Sequence, residues 1–164
     1  MAEKDFQTEL LRGIRDAGGH AYKIPDAPTS RFVGVQGSRF TPAKPYDCYW
    51  VCDGLFHALE LKQVTGSLSF ALSGLRDQQE ESLLAVEAAG GCGWLLVNFR
   101  VRLSSAQQKK RGVETVDRAF GARIALVVAA RVEDARTGLP LEWWEEHGVE
   151  LPRSKGPNGI SWDP

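Results

Sequence analysis

Asp53-Gly54, set between two apolar, aromatic runs, is the feature that most limits what this chain can fold into. Tyr49-Trp50-Val51-Cys52 precedes it and Leu55-Phe56-His57-Ala58-Leu59 follows it. A two-residue connection of this kind predicts a hairpin with a type I′ turn, because both central residues must take φ > 0. The turn then fixes the register. Cys52 opposes Leu55, Val51 opposes Phe56, and the ladder carried back puts Asp47 opposite Glu60. Side chains alternate along a strand, so Lys62 shares the face of Glu60. Directly opposed Cβ atoms lie about 4.5–5.5 Å apart, and like charges held so are destabilising. Two carboxylates placed this way call for a cation, and oxygen ligands suit Mg²⁺ or Mn²⁺. A surface hairpin whose Asp, Glu and Lys make ordinary cross-strand pairs is the alternative at this level.

The 164 residues predict one domain over 1–164, with enough chain for a real core. No apolar run reaches the roughly 18–20 residues of a membrane span. The charged start, Met1-Ala2-Glu3-Lys4-Asp5, lacks a secretory pattern, so the expectation is an intracellular, cytoplasmic protein with no membrane partner. Cys48 and Cys52 fall on one face with Trp50 between them, opposite Asp47, and read as small core residues. His20, His57 and His147 are too scattered to complete a zinc site.

The formal net charge is −1, yet charge is segregated. Arg12, Arg15, Lys23, Arg31, Arg39 and Lys44 face only Asp16 and Asp26 between residues 10 and 46. Arg100, Arg102, Lys109, Lys110 and Arg111 form a second basic run, and Glu142, Glu145, Glu146 and Glu150 an acidic one. Such segregation creates a local positive field without net basicity; a solvated mixed surface is the competing reading.

Taken in order, residues 5–17 predict a helix capped by Asp5, with Phe6, Leu10, Ile14 and Ala17 on one stripe. Glu9 lies at the edge of that stripe, either solvated or facing the metal site if the helix packs beside the hairpin. His20 to Ile24 predicts a strand. Residues 25–46 hold four prolines and predict a long loop or short protrusion. Its basic part, residues 26–44, interleaves Arg31, Arg39 and Lys44 with Phe32 and Phe40, a mixture suited to phosphate and exposed bases or to pinning the loop on the core. Residues 74–89 predict a helix with Leu75, Gln79, Leu83 and Val86 on one face. A glutamine on an apolar stripe needs a partner if buried. Gly93 to Phe99 predicts a strand buried on both faces. Residues 104–112 are polar and basic, 113–120 predict a short helix, and 124–130 predict a strand or a buried helix. Residues 139–148 predict a short helix between Pro140 and Gly148, whose adjacent tryptophans suit core or interface, one of them reading as core, and 152–164 an irregular tail.

The chemistry this constellation suits is phosphodiester hydrolysis. A divalent metal activates water, polarises the phosphate and stabilises the leaving oxygen. Asp47 and Glu60, with the backbone carbonyl of Leu61, are the candidate ligands, and Glu9 a further carboxylate. Lys62 would orient the water or meet charge at the phosphate. Gln79 would position that lysine or the water.

Pro45-Tyr46-Asp47 followed by Glu60-Leu61-Lys62 resembles the signature of the PD-(D/E)xK nuclease superfamily. Phe6-Gln7-Thr8-Glu9, Ala21-Tyr22-Lys23-Ile24-Pro25, Lys44-Pro45-Tyr46-Asp47, Ala58-Leu59-Glu60-Leu61-Lys62, and Phe70-Ala71-Leu72 before Gln78-Gln79 resemble the RecU-type Holliday junction resolvases, also called the penicillin-binding protein-related factor A group. The resemblance covers residues 5–100 and continues weakly into Pro140 to Gly148; the small size suggests a phage-encoded member, which would act in the host cytoplasm. It implies an α/β restriction-endonuclease-like fold, a mixed β-sheet flanked by α-helices. It implies a homodimer that nicks two opposed strands of four-way or branched DNA with Mg²⁺ or Mn²⁺. The family's metal and catalytic residues fall on Glu9, Asp47, Glu60 and Lys62, with Gln79 at its helix glutamine. Lys23, Arg31, Arg39 and Lys44 are the expected DNA contacts. This chain has Gln78-Gln79 where the family often has His-Gln, and the basic loop stands where the family has a protruding stalk. The alternatives are a nuclease of the same fold acting on other DNA, or a non-catalytic DNA-binding module.

Overall fold

The computed structural model describes residues 2–25, 44–156 and 159–162. The expected loop or protrusion at 26–43, with Arg31, Arg39, Phe32 and Phe40, lies outside the described residues. The chain runs α1 (Ala2–Asp16), β1 (His20–Lys23), β2 (Cys48–Cys52), β3 (Leu55–Val64), β4 (Ser69–Ala71), a 3₁₀ turn (Leu72–Gly74) and α2 (Asp77–Ala88). It continues β5 (Cys92–Arg102), α3 (Ser105–Arg111), β6 (Thr115–Arg123), α4 (Ile124–Val132), β7 (Gly138–Pro140), α5 (Leu141–His147), β8 (Val149–Leu151), β9 (Arg153–Gly156) and β10 (Gly159–Trp162).

The central sheet has six strands in the order β1-β2-β3-β5-β6-β8. Among the described residues, only β3 and β5 pair in parallel in this sheet; every other neighbour is antiparallel. The mixed sheet with helices on both sides is the architecture expected from the sequence. Asp53 and Gly54 take φ of 50° and 76°, as the type I′ turn requires. The register follows: Cys52 pairs with Leu55, Val51 with Phe56 and Cys48 with Leu59.

Alternation splits the sheet into two unlike faces. One carries Ala58, Leu95, Val97, Phe99, Phe120 and Ala122 and packs under α2, α4 and α5. The other carries Cys48, Leu59, Leu61, Leu96 and Ala119 and packs on Phe6, Leu10 and Ile14 of α1. Each Leu, Ile, Val or Phe among them stabilises by about 1.5–3 kcal/mol when fully buried. Helix α2 sits close because Gly93 presents no side chain: a Cβ there would stand 2.5 Å from the Leu83 carbonyl oxygen.

Three sequence expectations change. Residues 113–120 are not a helix; β6 pairs along nearly all of β5, and Val116, Phe120 and Ala122 point to one face. The helical spacing of Val113, Val116 and Phe120 is incidental to that alternation. The tail is not irregular either: β9 and β10 form a hairpin, and Trp162 is 1% exposed against α1. Helix α1 begins at Ala2, so Asp5 sits inside it. The ambiguous 124–130 segment is helical, and α5 buries both Trp143 and Trp144. Ser104 caps α3 by accepting from the Gln107 N–H, and Gly112 ends it at φ 71°. Among the described residues, no helix is long and apolar enough to cross a membrane.

Candidate active site

The hairpin register delivers Asp47 to the α2 side of the sheet. Its backbone N–H donates to the Leu59 carbonyl at 3.1 Å, one step beyond the Cys48–Leu59 pair, so Asp47 stands against Glu60. Its carboxylate accepts from the Leu61 N–H at 3.0 Å and pairs with Lys44 at 2.7 Å. Glu60 is 1% exposed. One of its oxygens, Oε1, takes Gln79 Nε2 at 2.5 Å and Lys62 Nζ at 2.9 Å. The other, Oε2, is buried with no hydrogen-bond partner among the described residues.

That oxygen is the anomaly of the site. Burial, and then the neighbouring Asp47 charge, push Glu60 up to about 7, with Lys62 opposing. A buried carboxylate with one oxygen unserved beside a second carboxylate is a poor structural element. The donor set fits a hard divalent cation, which would serve the orphaned oxygen and relieve the repulsion.

Gln79 reaches this point from the first turn of α2. Its Oε1 accepts from the Arg76 backbone N–H at 3.1 Å and from Lys62 Nζ at 3.5 Å. One amide thus ties the start of α2 to both Glu60 and Lys62, and the odd polar residue on an apolar stripe finds its partner. Lys62 lies between Glu60 and Gln79 as the alternation of β3 requires.

Glu9 is elsewhere. Helix α1 packs on the face of Leu59 and Leu61, so Glu9 is on the opposite side of the sheet from Glu60. Its carboxylate bonds Arg100 of β5 and accepts from Trp162 Nε1 at 2.9 Å. Arg100 also meets Asp117 at 3.2 Å, and Asp117 meets Arg153 at 3.1 Å. Among the described residues, no group of three or more His, Cys, Asp or Glu stands close enough to hold a metal. The carboxylates brought together are therefore Asp47 and Glu60. The sequence shows which stripe of α1 is apolar, but not which sheet face that stripe meets.

Of the basic residues, Lys44 is engaged with Asp47, an i,i+3 spacing visible in the sequence. Lys23 pairs with Cys48 across β1 and β2 and so belongs to the α1 side. Arg31 and Arg39 lie outside the described residues. Part of the segregated charge is spent internally: Arg111 bonds Glu142, and Arg118 bonds Glu145 and Glu150. Sequence reasoning did not single out the aromatics beside the carboxylates: strand alternation puts Tyr49 on the face of Asp47 and Phe56 on the face of Glu60, and Tyr22 joins them by pairing with Tyr49 across β1 and β2.

No family profile matches the chain, and no curated protein matches it. Among solved structures, the chain is similar to the Holliday junction resolvase Hjc of the hyperthermophilic archaeon Archaeoglobus fulgidus. The TM-score is 0.51 at 16% sequence identity, over 90% of this chain and 94% of that one. The likeness is one of fold.

Proposed function

We propose that the protein is a metal-dependent endonuclease acting on branched DNA, a Holliday junction resolvase working as a homodimer. The observation that carries this reading is the orphaned Oε2 of Glu60, buried beside Asp47 with Lys62 and Gln79 in contact. The fold shared with an archaeal resolvase supports the substrate class. Asp47 and Glu60 would hold a Mg²⁺ or Mn²⁺ ion, with the Leu61 carbonyl as a further oxygen. When bound, such an ion polarises a phosphate oxygen and makes water a nucleophile near neutral pH.

The chain's own groups do the rest. Asp47 is oriented by the Leu61 N–H, which fixes one carboxylate oxygen and leaves Lys44 on the other. Gln79 holds Glu60 Oε1 and so fixes which way the second carboxylate points. Lys62 stands at the same oxygen, close enough to meet negative charge growing on a phosphate or to orient the attacking water. Two symmetric cuts need two such sites, which a C₂ dimer supplies.

The test is cleavage of a labelled four-way junction, a duplex and a single strand, each with Mg²⁺, Mn²⁺ or chelator. Paired nicks in the junction, lost with chelator and in Asp47→Asn, are expected. Unchanged nicking by Asp47→Asn would remove the site. Tight junction binding without cleavage under any metal would make the protein a binding module.

A further inference from the structure

The face that carries Asp47 and Glu60 does not stop at the carboxylates. Tyr49 follows Asp47 by two residues and shares its face. Tyr22 of β1 pairs directly with Tyr49. The Tyr22 and Tyr49 rings are 6.0 Å apart, and Tyr49 stacks on Phe56 of β3 at 5.4 Å and 27°. Tyr46 closes on the edge of Phe56 at 6.4 Å, and His20 tilts over Tyr49 at 6.3 Å. Helix α2 lies over β3 and β5, leaving Tyr22 53% exposed. A row of rings thus runs from the carboxylates to the β1 edge of the sheet, open to solvent at its outer end.

We infer that this aromatic face of β1, β2 and β3 is a stacking platform for unpaired nucleobases of the DNA strand that enters at Asp47 and Glu60. The identity of the polymer rests on the nuclease reading above. Successive same-face residues on a strand are about 7 Å apart and neighbouring strands about 4.8 Å. Tyr49 is therefore one such step from Asp47, and Tyr22 one strand further. A nucleotide flanking the reacting phosphate falls over these rings. Every base has a π-face, so stacking on aromatics tolerates any sequence. A fully paired duplex keeps its bases inside the helix and offers none to this surface. The platform would favour DNA with unstacked nucleotides next to the cut, as at a branch point, over continuous duplex.

The test uses the full chain with Ca²⁺ in place of Mg²⁺ and DNA carrying 2-aminopurine in a single strand, at the branch of a four-way junction, or within a duplex. The expected result is quenching of 2-aminopurine in the single strand and at the branch. Tyr22→Ala should weaken single-strand affinity roughly tenfold while duplex affinity and the melting temperature hold. Tyr22→Trp should restore the quenching. Equal quenching by wild type and Tyr22→Ala, or an equal loss for duplex and single strand, would overturn the platform. So would a self-association that Tyr22→Ala abolishes with quenching unchanged, which would give the face to a second copy of the chain. A parallel Mg²⁺ and Mn²⁺ cleavage assay separates the two ideas. Tyrosine-dependent quenching without any cleavage defeats the nuclease reading alone, and cleavage with tyrosine-independent quenching defeats the platform alone.

Discussion

The two faces of the sheet each carry a polar cluster under a helix, and the clusters are built on opposite principles. On the α1 face, Glu9 and Asp117 both meet Arg100, Asp117 also meets Arg153, and Trp162 donates to Glu9. Burial works against the charge on Arg100, but bonding to Glu9 and the charge of Asp117 outweigh it and hold the guanidinium above its usual value. On the α2 face, Asp47 and Glu60 crowd each other, one oxygen is orphaned, and Glu60 is pushed up to about 7. The first cluster is balanced as it stands. The second matches its two carboxylates with Lys44 and Lys62 yet leaves one buried carboxylate oxygen unserved, the condition expected of a place that awaits an ion.

If the contrast is right, the largest effect comes from Asp47→Asn. Loss of a metal-supported step worth several kcal/mol lowers metal-dependent cleavage on the order of 10³-fold, measured as single-turnover nicking. The melting temperature should hold or rise, because a buried repulsion is removed.

Next is pH. The native pKa of Glu60 stands above its unfolded value, so between about 4.5 and about 7 the native state keeps a proton the unfolded state has lost. Stability therefore falls as pH rises through that window, by on the order of 3 kcal/mol. Urea unfolding from pH 4.5 to 7.5 in chelator measures it, and Glu60→Gln should flatten this contribution. A wild-type slope identical to that of Glu60→Gln would break the comparison.

Arg100→Met tests the other face. Breaking the balanced cluster should cost about 2 kcal/mol of stability, with cleavage by the folded protein within twofold of wild type. A large loss of cleavage at full stability would mean that the α1 cluster also serves the reaction. Smallest is Gln79→Ala, which frees Glu60 Oε1 and the start of α2. A drop of roughly tenfold in cleavage is expected, as for a residue that orients a ligand. Gln79→Glu should be worse than Gln79→Ala, since it adds a third carboxylate.

The α2 cluster was legible because its information is local. Asp53-Gly54 sets the register, alternation puts Lys62 with Glu60, and Gln79 stands out on an apolar stripe. The α1 cluster was not legible. It joins Glu9, Arg100, Asp117, Arg153 and Trp162 from five separate elements, and no short-range pattern links them. The same limit explains Glu9, whose helix face was read correctly but whose side of the sheet depends on packing. Strand β6 is open to a helical reading because Val113, Val116 and Phe120 also fall near helical spacing, and only pairing with β5 makes the alternation of Val116, Phe120 and Ala122 decisive. The C-terminal hairpin was missed because its Gly and Pro content suggests a tail, while Trp162 finds its burial only against α1.

That last contact bears on the order of folding. Gly13 lies so close to the Trp162 backbone that a Cβ would stand 1.9 Å from its carbonyl oxygen, and the Phe6 ring meets the Trp162 indole edge-on at 6.1 Å. The Trp162–Glu9 hydrogen bond spans 153 residues. Docking of β10 on α1 must close a loop of nearly that length, so its entropy is recovered only after the sheet between them exists. The α2 half can condense through nearer neighbours, and α1 can dock on β1 and β3, whereas the part of α1 that β10 covers waits for this closure. Gly13→Ala should act there: it should speed unfolding more than it slows refolding.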